Sequence, residues 1–331
     1  MMNNEVFSAI PCHEYSENRL HEEPLVSILM LAYNHEEFIS QAIESIMSQQ
    51  CNFAFELLIG EDCSNDKTKD LCLSYFNRFP DVIRLCTADE NVGMHRNFAR
   101  IWHRGRGHFF AMCEGDDFWC DEKKLQKQVD WMQKYPDAAL CGTFTRIIKQ
   151  DDNQDWLESG IVCPAEMKEH YTARDLIPGY TFHFSSILLR KQGIRFPSWF
   201  WDVYCVDRPL YLLCAEQGPV GCLPEVTSVY RLHQGGVWSS QHVQNKATQG
   251  RHLFEYINEY FHYRYNSLIR RTLGEILWYY LSEAMEQKDR ASAKKMFWMS
   301  LRYQFPWFSL QRIRSVAGSV ARLYVPFFRR C

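Results

Sequence analysis

Three short polar runs in the first third of the chain carry groups that could do chemistry together. They are Ala32-Tyr33-Asn34, Glu61-Asp62-Cys63-Ser64-Asn65-Asp66 and Glu114-Gly115-Asp116-Asp117. Each closes an apolar run, at residues 25–32, 55–60 and 108–113. Runs of that length and character form strands buried on both faces of a parallel sheet. If the strands are parallel, the three polar runs converge on one rim. Carboxylates gathered there repel one another unless a cation neutralises them. A hard divalent ion, Mn2+ or Mg2+, takes such oxygen ligands and keeps positions open for phosphate oxygens.

That chemistry fits a nucleotide diphosphate. Breaking a sugar–phosphate bond builds negative charge on the diphosphate, which a bound cation stabilises as a Lewis acid. An acidic pair such as Asp116-Asp117 is weak on its own, because acidic turns are usually structural. Its position after an apolar strand and before a helix gives it force.

The elements that must hold these groups alternate along the chain. Phe38, Ile39, Ala42, Ile43, Ile46 and Met47 repeat at helical spacing, with Asn34 available as the cap. Further strands are predicted at 82–86 and 138–148, and helices through Leu71 and Phe76, at 94–103, and at 123–135 with Leu125, Val129 and Met132 on one face. Residues 149–180 read as an irregular polar insertion. A strand at 182–190, a helix at 202–218 and a strand at 220–232 follow, and helical patterns begin near residue 240. The fold class is therefore α/β, a mostly parallel central sheet with helices on both faces and a C-terminal helical region. In such sheets ligands bind beyond the carboxyl ends of the strands.

Composition narrows the partners. The net charge of -3 over 331 residues hides an asymmetry: after Asp289 there is no acidic residue, while nine Lys and Arg follow. Leu310, Ile313, Val316, Ala317, Val320, Leu323 and Tyr324 fall within an arc of about 140° on a helix. Trp307, Phe308, Phe327 and Phe328 flank that helix. A basic amphipathic helix with aromatic ends suits an anionic membrane surface, though a helix packed on the protein has the same pattern. The 13 cysteines form no zinc spacing and suit a reducing compartment. No signal peptide and no run of 18 apolar residues is visible, so a cytoplasmic protein, peripheral on the inner face of the membrane, is expected. The missing G-x-G-x-x-G rules against a dinucleotide oxidoreductase, and no motif reads a nucleic-acid groove.

Residues 25–34, followed by HEEFISQAIESIMSQ, LLIGEDCSNDKT, ENVGMHRNFARIW and CEGDDFW with KLQKQVDWM, closely resemble family 2 glycosyltransferases of the GT-A fold. The resemblance resumes at Asp207-Arg208-Pro209-Leu210 and from Val229-Tyr230-Arg231-Leu232-His233 to Ser239. It implies an inverting, metal-dependent hexosyltransferase. The donor would be a nucleotide-diphospho-sugar, UDP- or dTDP-linked, and the acceptor a glycan or lipid-linked hydroxyl in surface polysaccharide or lipopolysaccharide synthesis. A sugar-nucleotide nucleotidyltransferase and a non-catalytic binding module are the alternatives; the first would want a Gly-rich phosphate loop where Tyr33-Asn34-His35 stands.

The resemblance also implies roles. Ala32, Tyr33 and Asn34 border the nucleotide, and Asp62 takes the pyrimidine N–H unless it only caps its loop. Asn91 and Arg96 close over base and ribose, although Arg96 has an alternative as a surface arginine. Glu114 stands where the family's metal motif has its first aspartate and, with Gly115, is assigned to the nucleotide sugar. Asp116 matches the metal ligand, with His233 as a further one. Asp117, Trp119, His233 and Trp238 face the acceptor or diphosphate. Asp207 is the catalytic base, with Asp202 the competing candidate. The implied organisation is an N-terminal extension (1–23), a GT-A catalytic domain (24–240) with a nucleotide-binding half (24–120) and an acceptor-binding half (121–240), a helical region (241–305) and the basic tail (306–331).

Overall fold

The computed structural model describes residues 10–16, 23–151, 153–233, 235–236 and 241–304. Two compact units divide after His233. The first is built on a ten-stranded sheet in the order β1-β4-β3-β2-β5-β9-β7-β10-β6, with β8 paired to β7. These strands are β1 His13–Tyr15, β2 Val26–Ala32, β3 Phe55–Glu61, β4 Ile83–Thr87, β5 Phe109–Met112, β6 Phe118–Trp119, β7 Leu140–Gln150, β8 Trp156–Val162, β9 Leu188–Arg190 and β10 Val220–Leu232.

The apolar runs become the centre of this sheet because both their faces are covered. In β2 six of seven residues are buried, and in β3 the same holds. β4, β3, β2 and β5 are mutually parallel, and β7 is parallel to β10. β9 pairs antiparallel with both β5 and β7. Two reversals restore the direction, so β7 and β10 run the same way as β5, and all these strands end on one rim. The helices between them are α1 Ile39–Met47, α2 Thr68–Arg78, α3 Met94–Trp102, α4 Lys124–Lys134, α5 Ala173–Leu176 and α6 Asp207–Gln217. The helix α6 stops at Gln217, three residues before β10 begins, so it runs back against that strand and its first turn faces the rim.

The second unit holds three helices among the described residues, α7 Val243–Tyr260, α8 Asn266–Glu286 and α9 Arg290–Gln304. Ile269, Leu273, Leu277 and Tyr280 face inward in α8 as their spacing predicts. No helix among the described residues is long and apolar enough to cross a membrane. Every described cysteine is a free thiol. The proposed amphipathic tail at 306–331 lies outside the described residues.

Several local expectations are corrected. Asn34 does not cap α1: it sits in a turn with φ 56°, four residues before Phe38, which takes the cap position. Residues 149–180 are not irregular throughout, because Trp156–Val162 forms a hairpin with β7 and Thr172 opens α5 with a capping box. The segment at 182–190 is a 3-10 turn, Phe184–Ser186, followed by a three-residue strand. The helix expected from 202 begins at Asp207. His13–Tyr15, inside the acidic extension, adds an antiparallel strand beside β4.

Candidate active site

Strand register delivers the convergence. Ala32 pairs with Glu61 at the carboxyl ends of β2 and β3, and the amide of Gly115 donates to the Leu31 carbonyl at 2.9 Å. The three polar runs are therefore neighbours. The loops after β2 and β3 are bound to each other by side chain to backbone bonds. Asn34 N donates to Ser64 Oγ, Asn65 N to Asn34 Oδ1, His35 N to Thr68 Oγ1, and Glu36 N to Asp66 Oδ2. Much of the polar character of these loops is thus structural. Tyr33 stays 40% exposed beside them.

Asp62 is nearly buried, and its two oxygens accept from the amides of Val92 and Gly93 at 3.0 and 2.9 Å. Its carboxylate holds the segment that carries Asn91, whose side chain accepts from Gly93 N. Arg96 points outward on α3 and is exposed. Gly115 has no room for a side chain: a Cβ there would lie 2.7 Å from His35 Nδ1 and 3.1 Å from the Leu31 carbonyl. Its glycine lets the acidic turn pack against the β2 loop.

The acidic turn divides into groups with different fates. Asp117 is fully buried; Oδ2 accepts from Ser185 Oγ at 2.7 Å and Oδ1 from the Arg231 amide at 3.1 Å. His183 Nδ1 lies 3.5 Å from Asp117 and already accepts the Ser185 amide. Burial pushes His183 down to about 4, so it is neutral near pH 7. Glu114, Asp117 and His183 offer ligand atoms within 4.8 Å of one another. The Asp117 and His183 lone pairs are already engaged and shut from solvent, which ill suits a cation that must also meet phosphates.

Asp116 is more open, with 19% of its side chain exposed. His233 Nε2 lies 3.2 Å from its Oδ2, and His35 Nε2 3.7 Å from the same atom. Burial works against its ionisation, but the two imidazoles outweigh that and draw its carboxyl down to about 2. Arg231 locks this arrangement. Its guanidinium donates to the Asp116 carbonyl at 2.6 Å and to Gln41. It lies over the rings of Phe118 at 4.5 Å and Phe38 at 5.2 Å. Phe38 in turn packs on the His233 ring at 4.6 Å.

Glu114 accepts no side-chain hydrogen bond among the described residues. Burial first, then the charges of Asp116, Asp117 and Asp207, push its carboxyl well above the usual range. Asp207, 93 residues after Glu114, thus shares one electrostatic neighbourhood with the acidic turn. It opens α6 half-buried. Asp202 is exposed.

One expected site residue stands elsewhere. Trp119 is not on an acceptor surface: it is 3% exposed in the main core, its indole N–H donates to the Ser185 carbonyl, and the Lys124 ammonium sits over its ring. Trp238 lies outside the described residues. Sequence reasoning passed over His35, His183, Tyr211 and Arg231 as site residues. Arg231 stands on β10 two residues before His233, which directly follows the strand, so strand alternation carried one residue past its end puts both on one face.

The protein-family model described as Glycosyl transferase family 2 matches residues 27–194. The Escherichia coli protein UDP-Glc:alpha-D-GlcNAc-diphosphoundecaprenol beta-1,3-glucosyltransferase WfgD is 33% identical over 66% of this chain and 82% of its own. The uncharacterized protein Rv1520 of Mycobacterium tuberculosis is 30% identical over 67% of this chain, and the match spans 62% of that relative's length. Among solved structures, the mannosyltransferase PcManGT from Pyrobaculum calidifontis, in complex with GDP-Man and Mn2+, superposes with TM-score 0.55. It shares 16% identity over 97% of this chain and 91% of that one, a likeness of fold.

Proposed function

The chain belongs to glycosyl transferase family 2, and from that premise we propose that it moves a sugar from a nucleotide diphosphate onto an acceptor hydroxyl with inversion. The observation that carries this reading is the acidic turn at the carboxyl rim of the parallel sheet, where His233 Nε2 lies 3.2 Å from the ionised Asp116, with the charge of Asp207 reaching the same turn from a distant chain segment. Acidic groups from two chain segments suit a single displacement, in which one carboxylate meets the departing diphosphate through a cation and another takes a proton.

The donor set fits a divalent cation: Asp116 is an ionised, partly exposed carboxylate with an imidazole beside it. Asp116 and His233 would hold Mn2+ or Mg2+, which when bound supplies Lewis-acid stabilisation to the departing diphosphate. Arg231 keeps the acidic turn in place through the Asp116 carbonyl and the Asp117 carboxylate. Tyr33 and the segment that Asp62 fastens border the nucleotide. Asp207 accepts the proton of the acceptor hydroxyl as that oxygen attacks the anomeric carbon. Half-buried at the first turn of α6, it is held in place by the helix.

The name of WfgD states a UDP-glucose donor and a diphosphoundecaprenol-linked acceptor. A UDP-linked hexose and a lipid-linked glycan are the donor and acceptor we propose here. An acceptor of that kind brings the enzyme to the cytoplasmic face of a membrane, where the basic residues of the C-terminal tail would meet anionic headgroups.

Incubating the purified protein with Mn2+ and a panel of nucleotide sugars tests this reading. Transfer, or slow donor hydrolysis without an acceptor, is the expected result. Pyrophosphorolysis of the donor would assign a nucleotidyltransferase instead, and binding without turnover would leave a sugar-nucleotide receptor.

A further inference from the structure

Asp207 and Tyr211 stand four residues apart on α6, one turn of helix, and so share a face. Tyr211 is 4% exposed, and its hydroxyl has no hydrogen-bond partner. The ring is clamped: it meets Phe182 edge-on, centroids 6.3 Å apart at 81°, and Phe182 is itself pressed on Gly142, where a Cβ would lie 2.2 Å from its ring. Burial, then the charges of Asp207 and Glu114, push the phenol well above its usual range, so it remains a donor. Glu114, whose charge reaches this phenol, is partly exposed. Buried polar groups left unpaired in a native protein call for a partner that arrives from outside.

Resting on the transferase reading above, we propose that Tyr211 is a specificity-determining residue whose hydroxyl hydrogen-bonds a hydroxyl of the donor sugar held between Glu114 and Asp207. A pyranose supplies the acceptor that the phenol lacks. Its hydroxyls donate to the carboxylates, and one of its oxygens accepts from the phenol. A site built to pair a substrate hydroxyl rejects analogues that lack it or point it elsewhere, because its own polar group is then left buried and unpaired.

The test is Tyr211→Phe in the full chain, assayed by hydrolysis of UDP-glucose, UDP-galactose and UDP-N-acetylglucosamine with Mn2+. Melting temperature without ligand and UDP affinity are measured beside it. We expect kcat/KM for the donor preferred by the wild type to fall about tenfold and the spread among the three donors to narrow by a similar factor. UDP affinity holds, and the melting temperature holds or rises, because the deleted hydroxyl was buried without a partner. Unchanged donor ratios overturn the proposal. So does an equal loss on every donor accompanied by a lower melting temperature, which would make the hydroxyl structural. A wild type that hydrolyses none of the donors overturns the transferase reading itself, and that failure is read separately from the variant.

Discussion

Two carboxylate groups sit at opposite ends of the same parallel strands, and they are treated in opposite ways. At the amino end, Glu56 is fully buried on β3 and surrounded by donors. Ser27 Oγ lies at 2.6 Å, the Arg106 amide at 2.7 Å and its guanidinium at 2.8 Å, and Arg84 at 3.1 Å. Burial alone would raise its carboxyl, but the Ser27 and Arg106 hydrogen bonds and the Arg84 charge hold it below the usual range. At the carboxyl end, Glu114, Asp116, Asp117 and Asp207 share one electrostatic neighbourhood, and the Arg231 guanidinium beside the turn engages a backbone carbonyl and Gln41 rather than a carboxylate. The same residue types hold the fold together where fixed cations meet them. Where none does, they stand ready for a ligand that brings positive charge and donors. The difference lies in the partners and in access: Glu56 is shut from solvent, whereas Asp116 keeps 19% of its side chain exposed.

Changing a carboxylate to its amide at each end should separate the two kinds of group. Asp116→Asn is expected to lower sugar transfer by roughly 10²–10³-fold, the size of losing one stabiliser of developing charge, without lowering the melting temperature. A steady-state assay with thermal unfolding alongside checks it; an unfolded variant would blur the distinction. Glu56→Gln should do the reverse. Denaturant unfolding is expected to show a loss of about 3 kcal/mol, because Arg84 and Arg106 lose their buried partner, while kcat stays near the wild-type value.

Saturating ligand comes next in size. Mn2+ with UDP at 100 times the dissociation constant should stabilise the wild type by about 2.7 kcal/mol and Asp116→Asn by far less, read as a thermal shift. The smallest effect is the pH dependence of the amino-end cluster. The folded-state carboxyl of Glu56 lies below its ordinary 4.5, so its contribution is present above that pH and disappears as pH falls through the folded value. The stability gap between wild type and Glu56→Gln should therefore hold from pH 7 to about 4.5 and shrink below it, which unfolding curves at several pH values would record.

How much of this was legible in the sequence follows from how local each cause is. Strands buried on both faces announce themselves as unbroken apolar runs, so Val26–Ala32, Phe55–Glu61 and the rim they form were readable, and with them the acidic turn. Asn34 misled because a residue with a good capping side chain was used to tie two loops together instead. His13–Tyr15 and Trp156–Val162 carry no such run, since one is a three-residue polar edge strand and the other an exposed hairpin arm. Trp119 looked like a surface aromatic beside the acidic turn, yet a Ser185 carbonyl 66 residues away takes its N–H. Tyr211 and Arg231 depend on what the fold packs against them, Phe182 in one case and Phe38 and Phe118 in the other. Spacing along the chain does not encode those neighbours.

Everything proposed for the site turns on Asp207 acting beside the acidic turn as a base and not as a donor ligand. Single-turnover transfer by wild type and Asp207→Asn, with UDP–Mn2+ affinity measured on both, tests it most directly. The account predicts a rate lower by roughly 10²–10⁴-fold at unchanged affinity. A variant that turns over like the wild type, or one that loses nucleotide affinity in step with its rate, would contradict it.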